Sequence, residues 1–403
     1  MSGERKNGGG AIATRPLLII YASILVGMLS VAAMPVFVGA YVDTLHFSVA
    51  EAGRVASAET LGGAAGSIFT AIFLARPGVN LRNAALACFV VLALAHVASG
   101  FVSGLGLFAA VRAVAGFAAG AVQSLGSVYI SSLKKPDRAF AISFGLLSVA
   151  GPLGLWCAPP LIAAIGLAHV YWAYAAGLLV ALPLMLLYPR RREPRDAADG
   201  VEPASKAPRA VGVGLIWAAI VVNFICNGGV WIYAEQIGRS AGFDAITLGR
   251  LLAVAMLLGT LGVALVGMIE DRFGRLKPLI AAHLALGGAV LWVMAGPGMA
   301  GYFVAILLLN LSVVVLTPYF LAMLAEAGRG ESASVFGNAA ILIGYGAGPG
   351  VLSFFVRGAQ FHFAFVVAAI GVGVSLALTL AGAYALRARA SEKSAMLVGA
   401  SGS

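Results

Sequence analysis

"GMIEDRFGRLKPL", residues 267–279, gathers Glu270, Asp271, Arg272, Arg275 and Lys277 within thirteen residues. The chain around it is mostly oil. Of 403 residues, 61% are hydrophobic and only 10% are charged, with a mean hydropathy of +0.98. Soluble domains carry roughly 25% charged residues. About half a chain earlier, "FLARPGVNLRNAAL" (73–86) echoes the stretch with its bases but not its acid, because Ala75 stands where the later copy has Asp271. A charged loop recurring in so apolar a chain reads as the wet turn between membrane spans, present once in each half.

Outward from these loops, apolar runs of about 20 residues recur, the length that crosses a hydrocarbon core of roughly 30 Å. Twelve spans are predicted: 17–42, 50–75, 82–102, 105–133, 139–165 and 168–188, then 211–237, 245–269, 277–296, 300–325, 334–357 and 362–387. Between the two sets, "PRRREPRDAADGVEPASKAPRA" (189–210) is charged and rich in proline and alanine, the composition of a solvated linker. The expected organisation is a tail over 1–16, a six-helix bundle over 17–188, the linker over 189–210, a second bundle over 211–387 and a tail over 388–403. The halves repeat at an almost constant offset. "AGR" at 52–54 answers "LGR" at 248–250, Arg76-Pro77-Gly78 answers Arg272-Phe273-Gly274, and Gly151-Pro152 answers Gly348-Pro349 one residue further on. Six-helix halves of like orientation suit transport by rocking around a central site.

Basic residues set the orientation. One side collects Arg5, Lys6, Arg15, Arg76, Arg82, Lys134, Lys135, Arg138, the linker bases, Arg272, Arg275, Lys277, Arg329, Arg387, Arg389 and Lys393. The other has little beyond Arg54, Arg239, Arg250 and Arg357. By the positive-inside rule both termini are cytoplasmic, and the inner (plasma) membrane is the expected location. The formal charge of +10 is then a topology signal, and no nucleic-acid partner is expected. The first apolar run is too long for the core of a signal peptide.

No cofactor or metal is implied. Cys88, Cys157 and Cys226 fall in apolar runs without paired spacing, and the five histidines form no ligand motif. "GYGAGPG" (344–350) is glycine-rich but lies within a membrane span with no flanking lysine, which suits helix packing rather than a phosphate cradle. With no nucleophile–base arrangement either, an enzyme is not expected, and energy must come from a solute or ion gradient.

Over essentially its full length the chain resembles the major facilitator superfamily. "GMIEDRFGR" resembles the family's signature loop, and "RAVAGFAAGA" (112–121) its fourth-helix arginine-glycine motif. "AGPLG" (150–154) is similar to the fifth-helix motif of exporters, although Leu155 and Trp156 replace the usual closing glycines. The resemblance implies an all-α polytopic membrane protein, with twelve transmembrane helices in two pseudo-repeated six-helix bundles. It also implies alternating access, with helices 1, 4, 7 and 10 lining the central path. The signature loop is then a conformational latch on the cytoplasmic side. Gly267 permits close packing, Asp271 meets the free N–H groups at the start of helix 5 near Ala139, and Arg272, Arg275 and Lys277 anchor the loop at the interface, with Gly274 part of the same latch motif. Ala75 leaves the matching contact near Ser334 without an acid, so the latch is one-sided. The plainer alternative is that the bases only enforce topology.

Ionisable groups at membrane depth are costly and are functional candidates by default. Arg112 lies about two turns into helix 4 and Glu59 at a similar depth in helix 2. They form either a purely structural ion pair or a proton site, with Glu59 the proton carrier and Arg112 the anion partner or charge gate. Helix 7 carries Asn223, Asn227, Trp231 and Glu235 at four-residue spacing, hence along one stripe. Glu235, beside Gln236 near the outer end, is either wet or a further coupling residue. Gln123, Trp156, Asn310, Asn338 and Tyr345 are additional cavity candidates. Pro152 and Pro349 are expected to bend their helices. Tyr171, Trp172 and Tyr188, near helix ends, read as an interfacial belt.

The favoured expectation is a monomeric transporter that moves a small organic anion together with protons. The alternatives are proton-antiport efflux of amphipathic compounds and a non-transporting membrane sensor or scaffold.

Overall fold

The computed structural model describes residues 9–76, 78–133, 136–191, 210–262, 274–296, 298–327 and 331–400. Among them are fourteen α-helices and no strand; Arg357 and Gln360 form an isolated bridge. The first half contains α1 (Gly9–Ala32), α2 (Met34–Leu45), α3 (Val49–Phe69), α4 (Leu81–Ser99), α5 (Leu105–Ser131), α6 (Pro136–Ile165) and α7 (Leu167–Met185). The second contains α8 (Ala210–Ile232), α9 (Ala234–Ser240), α10 (Ala245–Thr260), α11 (Leu276–Met294), α12 (Met299–Ala327), α13 (Glu331–Ser353) and α14 (His362–Ala400). Among the described residues, nine helices are long and apolar enough to cross a membrane, and α1 with α2 makes one further span bent by 48°. With α10 and α13 these make the twelve apolar segments of the expected all-helical architecture.

Three spans depart locally from the continuous helices read in the sequence. The first breaks at Ala33, and α2 restarts with Pro35 in its first turn. A proline there lacks only an N–H that has no helical partner anyway, whereas within a continuous helix it would remove a bond and clash with the preceding turn. The second span ends in a π-helical turn, Thr70–Leu74. The seventh breaks at Tyr233, and the short α9 follows. Pro152 and Pro349, in contrast, sit inside the unbroken helices α6 and α13.

The chain divides into two compact units, Met1–His46 with Ala58–Gly200, and Phe47–Ser57 with Val201–Ser403. In the first, α3 and α5 pack backbone against backbone. A Cβ on Gly62 would press on the Ala113 carbonyl, one on Gly66 on the Phe117 carbonyl, and one on Gly120 on the Gly63 carbonyl. Small residues four apart let membrane helices approach this closely. The second unit uses the same device elsewhere, between α8 and α13, where Gly344 faces the Val221 carbonyl and Gly348 the Ile225 carbonyl. The "GYGAGPG" stretch is thus a packing surface. Residues 47–57 cluster with this unit, Ser57 Oγ donating to the Gly346 carbonyl at 2.5 Å. The internal repeat extends to the close contacts: Gly63 and Gly66 are answered by Gly259 and Gly262, which face Asn310 and Leu311 of α12.

Candidate functional site

Close contact of α3 and α5 brings the buried charges together. Gly116 lies against the backbone of Glu59, and Arg112, one turn before Gly116, shares its face of α5. Glu59 and Arg112 are both fully buried and form a two-pronged ion pair. Arg112 Nε donates to Glu59 Oε2 at 2.9 Å, and Nη2 donates to Oε1. This planar fork-to-carboxylate geometry is the strong, directional form of the interaction. The remaining nitrogen, Nη1, donates to Ser99 Oγ at 3.1 Å and meets His96 Nδ1 at 3.3 Å. The guanidinium carbon lies 4.6 Å from the centre of the Tyr171 ring, within cation–π range. Ser30 Oγ donates to Glu59 Oε1 at 3.4 Å, and the Tyr41 and Tyr171 hydroxyls share a hydrogen bond of 2.7 Å.

These contacts fix a tautomer. Arginine offers only donors, so His96 Nδ1 is the acceptor, and neutral His96 carries its hydrogen on Nε2. Every nitrogen of Arg112 therefore has a partner, and one face of the guanidinium is covered by an aromatic ring.

His96, Ser99, Tyr41 and Ser30 are additions to the site residues read in the sequence, and Tyr171, read there as interfacial, joins them. Tyr171 and Tyr188 do not join an interfacial belt, since both are 0% exposed; Tyr171 instead stacks on His96, with ring centres 5.8 Å apart. Trp172 is partly buried and donates to the Val97 carbonyl at 3.3 Å. The signal available in the sequence was a pair of polar residues, His96 and Ser99, three apart on one face of an apolar helix.

In the second unit, Glu235 is buried and accepts from Arg239 Nε in its own short helix, and from Gln236 Nε2 at 3.0 Å. Nearby, the Tyr302 hydroxyl donates to the Ala234 carbonyl. The break at Tyr233 takes Glu235 off the stripe that Asn223, Asn227 and Trp231 hold along α8. Those three are buried, and among the described residues both polar atoms of the Asn223 amide, with Nδ2 of Asn227, find no hydrogen-bond partner. Trp231 hydrogen-bonds with Tyr345 of α13.

The other candidates stand apart from the two clusters in character. Asn310 is satisfied by the Ile306 carbonyl of its own helix at 2.9 Å. Gln123 is half-buried, while Asn338 is exposed and Trp156 is 45% exposed. Gly267, Asp271 and Arg272 lie outside the described residues. Gly274 adopts φ +63°, a left-handed turn conformation that suits glycine, and Arg275 immediately precedes α11. Among the described residues, no three metal-ligating side chains converge. The repeat does not duplicate the charge pair: where Gly63 recurs as Gly259, Glu59 recurs as Ala255, and the residue one turn before Asn310 is Ile306, both buried and apolar.

Apolar spans in two related halves, with a buried carboxylate held by an arginine in each, define a polytopic membrane protein. Residues 19–349 match the sequence profile of the Major Facilitator Superfamily, and the chain belongs to that superfamily. No curated protein sequence matches it. Solved structures agree at the level of fold. The nucleoside transporter NupG superposes with a TM-score of 0.70 at 12% identity, covering 92% of this chain and 99% of its own. A D-xylose–proton symporter gives 0.68 at 15% identity, with 93% and 97% covered. The human organic anion transporter MFSD10 gives 0.61 at 16% identity, with 91% and 99% covered.

Proposed function

We propose that this protein is a proton-coupled secondary transporter of a small organic solute, with Glu59 as the proton carrier. The observation that carries the reading is the fully buried Glu59–Arg112 pair. Buried charges in a membrane helix mark ion pathways by default. Of the two partners only Glu59 can change its charge, because arginine stays protonated. A proton on Glu59 dissolves half of the pair, so proton binding and rearrangement inside the first unit are one event. The fold also hosts a D-xylose–proton symporter, which supports coupling of this kind. Glu235, held by Arg239 within one short helix, is the weaker coupling candidate.

The small-organic-anion reading has less support at Arg112, whose nitrogens are all engaged. Arg112 is better suited to charge coupling than to holding substrate. Substrate contact falls to Asn223, Asn227, Trp231 and Tyr345, where amides lack partners. A monomer in the inner membrane, both termini cytoplasmic and Asp271 latching the cytoplasmic side complete the proposal; an Asp271→Asn variant that transports normally would defeat the latch.

The test uses purified protein in liposomes enclosing a pH-sensitive dye. Small organic acids, then neutral polar solutes and amphipathic cations, are added to wild type and to Glu59→Gln. A solute that moves protons in wild type and not in the variant supports the proposal. Proton movement that survives Glu59→Gln removes Glu59 from it, and a response only to amphipathic cations selects efflux.

A further inference from the structure

Resting on that reading, we infer that His96, Ser99 and Tyr171 form a holding seat for Arg112, which keeps the cation in place when Glu59 is protonated and thereby sets the pH at which Glu59 takes its proton. His96 is the positioning residue of this seat.

When Glu59 becomes neutral, a buried guanidinium is left without a counter-charge, and an unpaired cation at membrane depth is among the most costly arrangements available to a protein. Only what already touches Arg112 on its other edges can offset that loss. Those groups include the lone pair of His96 Nδ1 at 3.3 Å, the Ser99 hydroxyl oxygen at 3.1 Å and the face of the Tyr171 ring at 4.6 Å, with the Tyr41 side chain beside them. None of them is charged while His96 is neutral, so all persist when the carboxylate does not.

The seat is itself braced. Ser99 Oγ donates to the Ala95 carbonyl at 2.8 Å, which turns its lone pairs towards Arg112. Tyr171 is held by the Tyr41 hydroxyl and stacks on the His96 ring, while Tyr174 meets that ring edge-on, with centres 5.7 Å apart. The titratable and charged groups around His96 are therefore Arg112 of α5, Tyr171 and Tyr174 of α7 and, through Arg112, Glu59 of α3 and Tyr41 of α2.

The effect on the equilibrium has a definite sign. With Glu59 ionised, Arg112 has its carboxylate and depends little on the seat. With Glu59 protonated, it depends on the seat almost entirely. Removing the seat therefore disfavours the protonated form, and more acid is needed to populate it. Restoring an acceptor at the Nδ1 position should reverse the effect. Asparagine does this, because its Oδ1 sits at nearly the same distance from the backbone as histidine Nδ1.

The probe is the proton itself, so no substrate is required. Purified protein in liposomes is titrated from neutral to acid pH by infrared difference spectroscopy. The signal of the protonated Glu59 carboxyl is identified by its loss in Glu59→Gln. In His96→Leu the half-point should move to lower pH by about one unit, a tenfold weaker proton affinity. Ser99→Ala should move it the same way by less, and His96→Asn should return it close to the wild-type value. Should His96→Leu fold poorly, Ser99→Ala and His96→Asn still give the comparison. Half-points unchanged in His96→Leu and Ser99→Ala would overturn the seat while leaving Glu59 as proton carrier. Absence of any Glu59-dependent signal in wild type would overturn both.

Discussion

Gly116 sits so tightly against Glu59 that the Cβ of any other residue would fall inside the Glu59 carbonyl. That contact seats Arg112, one turn away, against the Glu59 carboxylate. Because the obstacle is backbone, it cannot swing aside as a side chain would. Gly116→Ala should therefore force α3 and α5 apart and destabilise the protein by about 1–3 kcal/mol, the usual range for overpacking. A lowered melting temperature in detergent checks this; an unchanged one would mean that the helices part without strain.

The buried ion pair makes a prediction about pairs of changes. Arg112→Gln leaves a buried carboxylate alone and should cost about 3–5 kcal/mol, as breaking such pairs does. Replacing both partners by apolar residues, Glu59→Leu with Arg112→Met, should recover most of that loss. Thermal unfolding of the single and double variants measures the recovery. In the liposome assay the double variant should stay folded and move no protons.

Asn223 offers the opposite case. Its amide is buried without protein partners, so Asn223→Leu removes unmet hydrogen-bonding groups at similar volume. Stability should lie within about 1 kcal/mol of wild type or rise, while solute-dependent proton movement falls. Full transport with raised stability would remove Asn223 from the substrate contacts.

At the start of α10, Asp244 caps the helix by accepting from the Thr247 N–H at 2.9 Å. Hydrogen bonds from Thr247 hold its carboxyl below the usual carboxylate range. A depressed folded value means that the stabilisation is complete above the unfolded pKa of about 3.9 and lost as the pH falls through the folded one. Wild type should melt above Asp244→Ala at neutral pH, and the gap should close as the pH falls below about 4. A gap that persists at low pH would show that the charge contributes nothing.

Composition and repetition were legible in the sequence because they depend on averages. Apolar runs long enough for a bilayer, bases sorted by loop and a second half echoing the first all survive small errors at single residues. Glu59 and Arg112 were legible too, since a charge in an apolar run is conspicuous whatever surrounds it. Breaks at Ala33 and Tyr233 were not. Whether a helix breaks depends on what its neighbours can satisfy: Pro152 and Pro349 lie inside continuous helices, while Pro35 stands in the first turn of a restarted one.

The amino-acid order alone thus determined a membrane protein of two related halves, because the hydrocarbon core admits little besides helices whose backbone groups are paired. It also picked out the residues whose charge is costly there. Only the tertiary structure decided what those charges touch. His96 and Tyr171 looked like an isolated histidine and an interfacial aromatic, and they became parts of one site because α4 and α7 place them against Arg112, while glycines let α3 close on α5 and bring Glu59 to the same guanidinium. Close contact between distant segments is set by shape in three dimensions, and no spacing along the chain encodes it.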